Sequence, residues 1–408
     1  MREAARLGLA ALAALLTLWT ATAEAHAAAG SLAARLDRAL TAKGVSAEAT
    51  GAIVVDLEAG EVVFERNEGL SLIPASNEKL TVAVAALALL GPDYRIGTDV
   101  LGDGAQRGAA WAGDLYLRGQ GDPTLHRRDL RRLARKLRAA GIRRVSGNVL
   151  GDESFFDAQR TAPGWKPSFY GEESAPLSAL VVDRAVVKGH WVDAPATAAA
   201  RAFAKELEKA GIRVAGKAGI GVTPPGAAPL AGVLSEPLAQ IVSWMNQESD
   251  NFVAEMLLKG LGARLGRGGT TAAGAEVVST ILRRLGVPLR GVRLADGSGL
   301  SVRDRLTPEA LAALLIAAWN NPGLHGPFLA SLAVAGESGT LEDRLEKPPA
   351  RGRVFGKTGT TNRASSFSGY VGSRYAFAVI MNGRPIPSWF ARKAQDRFVR
   401  LLAARAGE

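Results

Sequence analysis

The sequence predicts a mixed α/β (α+β) fold: an antiparallel sheet drawn from both chain ends, covered by helices, with a smaller α/β domain inserted. Three observations predict it. Strand-like segments lie near the amino terminus, at residues 52–56 and 61–65, and return near the carboxy terminus, at 354–357, 366–371 and 375–381. Helical periodicity dominates from Pro237 to about Trp319. The stretch before it mixes strand and helix patterns with Gly/Pro turns. At 408 residues, 47% hydrophobic and 22% charged, the chain can fill more than one ordinary core.

The elements follow in order. Arg2 and Arg6 precede an apolar run over residues 7–19, too short to span a membrane comfortably, and Ala23-Glu24-Ala25 supplies small residues at cleavage spacing. This predicts a signal peptide over residues 1–25, cut after Ala25 or, nearly as well, after Ala27. The other reading is an uncleaved anchor. Residues 32–40 form a helix, and a hairpin turning at Ala59-Gly60 comes next. Pro74-Ala75-Ser76 opens an apolar helix to Leu90, which Gly91-Pro92 ends. A strand at 114–118, a turn cluster at 119–123 and a basic helix at 125–140 follow, the helix carrying Leu130, Leu133 and Leu137 at helical spacing. Then come a strand at 145–150, a helix at 195–210 ending at Gly211, and a loop from Pro224. A helix over 389–405 closes the chain. The expected division is a discontinuous domain, 26–96 with 236–408, around an inserted domain at 97–235.

The chain has no cysteine, so an exported form is stable through its core without disulfides. Its net charge is +11, and loss of residues 1–25 leaves that value unchanged, because two arginines and two glutamates go together. Such a charge draws an exported protein to anionic wall or membrane surfaces, unless it only reflects an arginine-rich composition. The arginines are dispersed and not interleaved with aromatics, which argues against nucleic acid. The histidines, at 26, 126, 190 and 325, show no paired ligand spacing, so no metal and no cofactor is expected. No Gly-x-Ser-x-Gly turn surrounds any serine, which argues against a Ser-His-Asp triad.

Three short motifs carry chemistry. Ser76-Asn77-Glu78-Lys79 places a hydroxyl and an amine three residues apart on one helix face. A serine needs a neighbour to take its proton, and a lysine made neutral by burial or a nearby cation supplies one. Alone, Ser76 reads equally as a helix cap. Ser249-Asp250-Asn251, between apolar helices, is either a capped turn or a hydroxyl and an amide aimed into a cleft. Lys357-Thr358-Gly359-Thr360 lies on a strand. Gly359 lets a substrate backbone come close, and Lys357 with the hydroxyls of Thr358 and Thr360 suits a carboxylate. The plain reading is an edge strand with a solubilising lysine. All three in this order match the motif set of penicillin-binding proteins and class A β-lactamases.

With these motifs, Pro74-Ala-Ser-Asn-Glu-Lys-Leu80, Gly121-Asp-Pro-Thr-Leu125, Gly147-Asn-Val-Leu-Gly-Asp152, Asp296-Gly-Ser-Gly-Leu-Ser301 and Gly336-Glu-Ser-Gly-Thr-Leu341 make the chain resemble one family. It is that of the class C low-molecular-mass penicillin-binding proteins, the D-alanyl-D-alanine carboxypeptidase/endopeptidases of peptidase family S13. The resemblance spans nearly the whole mature chain. It implies a serine β-lactamase/transpeptidase-like fold and an exported enzyme of the periplasm or cell-wall face that cleaves the terminal D-Ala-D-Ala bond of peptidoglycan stem peptides. β-Lactam antibiotics then act as covalent inhibitors. Implied roles are Ser76 as nucleophile and Lys79 as its base. Ser249 relays a proton to the leaving nitrogen, and Asn251 holds substrate and orients Lys79. The backbone N–H groups of Ser76 and Thr360 form the oxyanion hole, and Lys357 with Thr358 binds the terminal carboxylate. The long interval from Ser76 to Ser249 matches the family's insertion, with the further nested domain, due between about Val187 and Pro195, missing or vestigial.

The chain departs from the resembled pattern in one place. An Arg that follows Asp-Gly-Ser-Gly-Leu-Ser in relatives, and with an Asp of the inserted domain reads the diaminopimelate side chain, is here Val302. Asp152 matches the Asp. Arg303 or Arg305 either compensates or is a solvated loop charge. Two other functions compete: a β-lactamase or esterase on the same scaffold, with Glu276 or Glu309 as deacylating base, and a non-catalytic wall-binding protein. The oligomeric state and the balance of carboxypeptidase and endopeptidase action are not legible.

Overall fold

The computed structural model describes residues 32–407. The expected signal peptide lies outside the described residues. The principal sheet has six strands, all antiparallel, in the order Ala333–Val334, Val354–Thr360, Ala364–Val371, Tyr375–Asn382, Thr50–Asp56 and Glu61–Arg66. Both chain ends thus share it, as expected: Val54 pairs with Phe377 and Ile53 with Ala378.

Strand Thr50–Asp56 is buried throughout because the sheet is covered on both faces. Ile53 and Val55 point into a helical layer holding Leu87, Met245, Leu258 and Leu311. Ala52 and Val54 point to the other side, against Phe398 and Leu402 of the closing helix Ser388–Arg405 and Leu36 of the helix at residues 32–39. Each of these Val, Leu, Ile, Met and Phe side chains contributes roughly 1.5–3 kcal/mol when fully buried. Helix Lys79–Leu90 runs through the middle of the helical layer. It is apolar on every side, as a fully surrounded helix must be, and Gly91 at φ 83° stops it.

Residues 97–234 build a second sheet with its own core of Leu115, Leu117, Leu133, Leu137, Phe203 and Leu207. Its main path runs Ala218–Ile220, Val149–Asp152, Ala110–Gly119, Gly97–Arg107, Ala228–Leu234, and helices Arg127–Ala139 and Pro195–Lys209 pack on it. Strands Gly97–Arg107 and Ala228–Leu234 were not legible. The first carries Gly97, Gly102 and Gly104, a loop-like composition. Gly104 and Gly113 face each other at φ 139° and 144°, where a Cβ on either would sit about 2 Å from the opposite carbonyl oxygen. Between Val187 and Pro195 the chain forms only the return strand of a two-stranded hairpin, Val186–Val187 with His190–Trp191. A helix, Pro322–Ser331, also continues the helical layer beyond its expected end. Among the described residues no helix is long and apolar enough to cross a membrane.

Candidate active site

Ser76 does not open the α-helix. It sits in a 3-10 turn, Ala75–Glu78, and the α-helix begins at Lys79. The turn is held hard against the sheet. Asn77 Nδ2 donates to Lys357 O at 2.9 Å, and Ser366 Oγ donates to Pro74 O at 2.6 Å. Ala75 takes φ +48°, a strained value for a residue with a Cβ, and such strain persists only where the surroundings fix it. Gly299 helps to fix it, since a Cβ there would meet Ala75 O at 1.9 Å. The Ser76 side chain caps nothing, so the helix-cap reading does not hold.

Lys79 is fully buried, and its ammonium reaches three oxygens: Ser76 Oγ at 3.1 Å, Asn251 Oδ1 at 2.7 Å and Ser298 O at 2.6 Å. Burial lowers its pKa from 10.5 to about 8, against the pull of Asp296, Asp250, Glu255 and Glu78. Burial and, after it, Asp296 push the Glu78 pKa well above the ordinary carboxyl range and that of Glu255 up to about 8. Glu255 Oε1 also accepts from the N–H groups of Gly297 and Ser298, at 3.0 and 2.8 Å, which fixes the loop whose Ser298 carbonyl meets Lys79.

The second motif sits at a helix start. Asp250 caps Asn251–Leu265 by accepting from Val253 N at 3.0 Å, and it pairs with Arg184. The Arg184 guanidinium also stacks over Trp244 and Phe252, 4.6 and 5.5 Å from their ring centroids. Ser249 takes φ +57° and lines the cavity in front of Ser76. Asn251 Nδ2 donates to Glu173 O at 3.0 Å, so its oxygen side faces Lys79.

Strand Val354–Thr360 forms the opposite wall. It pairs on both sides at Phe355 and Gly356, and Lys357 is fully buried, so the solubilising edge lysine is excluded. Lys357 Nζ donates to Thr358 O at 2.9 Å, and burial together with the nearby Lys79 holds its pKa well below 10.5. Thr358 Oγ1 donates to Thr340 Oγ1 at 2.8 Å, and Arg392 Nη2 donates to Thr360 Oγ1 at 3.2 Å. Gly359 is needed for a reason other than substrate approach: a Cβ there would lie 2.3 Å from Ser366 Oγ, 2.8 Å from Ser76 N and 3.0 Å from Pro74 O. Gly359→Ala is therefore expected to destabilise by about 1–3 kcal/mol and, by shifting Ser76, to slow its acylation about a hundredfold. Thermal unfolding and acylation kinetics on the one variant check both, and an unchanged acylation rate would refute the contact.

The cavity bounded by these walls has a volume of about 300 Å³. It is lined by Ser76, Ser249, Asn251, Thr358 and Thr360, with Glu173, Leu300, Thr340, Thr361, Arg344 and Arg392. Lys79 and Lys357 lie buried behind it. Asp152 is not brought to this wall. It is 1% exposed, Oδ1 accepts from Ser154 N at 2.9 Å, and Oδ2 accepts from Thr223 N at 2.8 Å and from the Thr223 hydroxyl. Burial works to raise its pKa, but these bonds bring it below the ordinary value. Its carboxylate is spent inside its own sheet. Val302 lines an adjoining cavity. Glu173, Arg184 and Arg392 escaped the sequence reading, because single charged residues in loops or at a helix start carry no spacing signal. Ser298 and Thr340 had one: both fall in stretches that carry the family resemblance.

The chain is similar to known proteins over most of its length. The sequence profile of the D-Ala-D-Ala carboxypeptidase 3 (S13) family matches residues 32–194 and 188–405. A D-alanyl-D-alanine carboxypeptidase from an Actinomadura species is 32% identical, over 91% of this chain and 84% of that protein. A Haemophilus influenzae D-alanyl-D-alanine carboxypeptidase is 25% identical, over 84% and 87%. Among solved structures, penicillin binding protein 4 of Haemophilus influenzae shares the fold with a TM-score of 0.80 at 24% identity, over 92% of this chain and 99% of its own. A predatory peptidoglycan endopeptidase of Bdellovibrio bacteriovorus shares it with a TM-score of 0.57 at 18% identity, over 88% and 92%.

Proposed function

The chain belongs to the D-Ala-D-Ala carboxypeptidase 3 (S13) family and is a serine-type DD-peptidase on a penicillin-binding scaffold, and we propose that it works through an acyl-enzyme on Ser76. The observation that carries this reading is the contact of the buried Lys79 amine with Ser76 Oγ at 3.1 Å. Neutral Lys79 takes the Ser76 proton as Oγ attacks the carbonyl of the penultimate D-Ala. The backbone N–H groups of Ser76 and Thr360 hold the developing oxyanion. Ser249, across the cavity, passes a proton to the leaving D-Ala nitrogen, and Asn251 fixes the substrate backbone. Water then cleaves the ester.

The departing carboxylate lies against the Thr358 and Thr360 hydroxyls. Arg392, whose Nη2 donates to Thr360 Oγ1, and Arg344 line the same cavity, with the Lys357 amine behind the strand. A β-lactam acylates Ser76 by the same attack and stays attached. We place this activity outside the cytoplasm, in the periplasm or at the cell-wall face, on peptidoglycan stem peptides and their cross-links. The net charge of +11 favours contact with anionic wall or membrane surfaces there. We also propose the division into residues 26–96 with 236–408 around an inserted unit at residues 97–235, a reading supported by the two separate sheets. The second unit contributes Glu173 and Arg184 to the site.

The test is release of free D-alanine from a peptide ending in D-Ala-D-Ala. One equivalent per peptide is expected, with none after pretreatment with penicillin. Purified protein that bound penicillin yet released no D-alanine would favour a wall-binding role instead.

A further inference from the structure

Arginines occur along the whole chain, but the excess of cations over acids does not. Residues 127–144 carry nine arginines and lysines against one acid, and residues 195–217 carry five against two. These surpluses, eight and three, equal the net charge of the whole protein, +11, so the rest of the chain is balanced. The two stretches are helices Arg127–Ala139 and Pro195–Lys209 with the turns and short strands that follow them. The helices pack side by side over the same core of the second sheet. Leu130, Leu133, Leu137, Phe203 and Leu207 face that core, which turns the cations outward. Arg128, Arg132, Arg135, Arg201 and Lys205 are all exposed.

The face is built as well as charged. Glu206, 3% exposed, sits in the seam between the two helices and holds one cation from each: Arg131 Nε at 3.2 Å and Lys209 Nζ at 2.7 Å. The bond from Lys209, and after it that from Arg131, holds the Glu206 pKa below the ordinary range against the effect of burial. The two cations are themselves 53% and 65% exposed, so a buried carboxylate fixes them while their remaining donors face outward. Arg135, Arg201 and Lys205 have no acid within ion-pair distance among the described residues.

The face is also mounted on the catalytic unit. At the start of helix Arg127–Ala139, His126 Nδ1 lies 2.9 Å from Asp183 Oδ1, and Arg127 Nε lies 3.4 Å from Asp183 Oδ2. The next residue, Arg184, pairs with Asp250 between Ser249 and Asn251. An anion held on the helices is thereby kept at a set distance from Ser76.

We propose that this helical face binds a linear phosphodiester polymer of the cell wall and so tethers the enzyme beside its substrate. The assignment rests on the placement of the enzyme outside the cytoplasm. Three features select this occupant. Cations spread over two helices suit a row of spaced anions better than a single one, since exposed positions such as 128, 132 and 135 recur along the helix at about 5–6 Å. Ten of the fourteen cations are arginines, whose planar fork matches phosphate oxygens. No large apolar side chain is exposed in either stretch among the described residues, so the face has nothing to insert among acyl chains, and a lipid bilayer fits it less well. Binding of this kind releases counterions from the polymer and weakens steeply as salt rises.

The experiment titrates the purified protein with poly(glycerol phosphate) across a salt series, beside the triple variant Arg128→Gln/Arg132→Gln/Arg135→Gln. These positions are exposed and glutamine suits a helix, so the variant is expected to fold. Wild type is expected to bind with an affinity that falls steeply with salt. The variant is expected to bind about tenfold or more weakly, with a salt slope lower by about two to three. D-Alanine release from a soluble peptide and penicillin acylation should be unchanged in the variant, since none of the three residues lines the catalytic cavity. No binding by wild type, or equal binding by the variant, would overturn the proposal. Equal affinity for poly(glutamate) of matched charge would overturn it too, by reducing the face to a general attraction between opposite charges. So would binding to phosphatidylglycerol vesicles without binding to the polymer. Recovery of the protein in the cytoplasmic fraction of its own cells would refute the extracytoplasmic placement, a failure separate from loss of polymer binding.

Discussion

Incubation with penicillin is expected to add one drug mass to the intact protein, on Ser76 and nowhere else, and Ser76→Ala is expected to abolish it. Ser76 is the serine whose Oγ meets a buried amine, on a turn pinned by Asn77 and Ser366. The substitution removes the nucleophile but none of the pins, since those bonds come from Asn77, Ser366 and the backbone. The fold should therefore survive while peptide cleavage falls at least ten-thousandfold, the scale seen when a serine hydrolase loses its nucleophile. The adduct's lifetime decides between the two enzyme readings. A β-lactamase needs a base beside the ester, and neither acid weighed for that task is near it. Glu276 lines a separate groove with Arg284, and Glu309 lies in the first turn of helix Pro308–Asn320. An adduct lasting many minutes is expected. Rapid turnover would favour the lactamase, and an adduct that persisted in Ser76→Ala would remove Ser76 from the mechanism.

How far the site was legible depended on whether a contact is written in local spacing. Ser76 and Lys79 are three residues apart, and a helix of either kind brings such residues to one face. That reading held even though the turn proved to be 3-10. Strands such as Tyr375–Asn382 declared themselves by continuous apolar runs, as a sheet buried on both faces requires. What stayed hidden depends on tertiary approach. No local pattern ties Asn251 to Glu173 or Asp250 to Arg184, since those partners come from the loops after the second sheet's strands. Gly359 and Asp152 were named from motif and resemblance, but their surroundings changed their meaning. The glycine makes room for the Ser76 turn rather than for substrate, and the aspartate's oxygens are consumed by Ser154 and Thr223. Lys357 is buried as well, although Ala333–Val334 pairs only with Phe355 and Gly356 and, among the described residues, leaves Lys357–Thr360 unpaired on that side.

Lys79→Ala is expected to slow acylation by about a hundredfold to ten-thousandfold, the usual contribution of a positioned general base. The pH profile of the wild type shows why. A protonated Lys79 donates to three oxygens and has no lone pair with which to accept a proton. A neutral amine keeps two N–H donors and one lone pair. Asn251 Oδ1 and Ser298 O, at 2.7 and 2.6 Å, can only accept. They claim both remaining hydrogens and leave the lone pair facing Ser76 Oγ. The active form is thus the deprotonated one. With a pKa of about 8, kcat/KM for peptide and the rate of penicillin acylation should rise nearly tenfold per pH unit below that value and level off above it. The residual activity of Lys79→Ala should lose this rise. The variant relieves Lys357 of a neighbouring cation that depresses its pKa but also takes that cation from Asp296, Asp250, Glu255 and Glu78, so thermal unfolding of the variant accompanies the kinetics. A variant that kept the wild-type limb near pH 8 would show that another group takes the Ser76 proton, and a loss of only a few-fold would reduce Lys79 to a positioning residue.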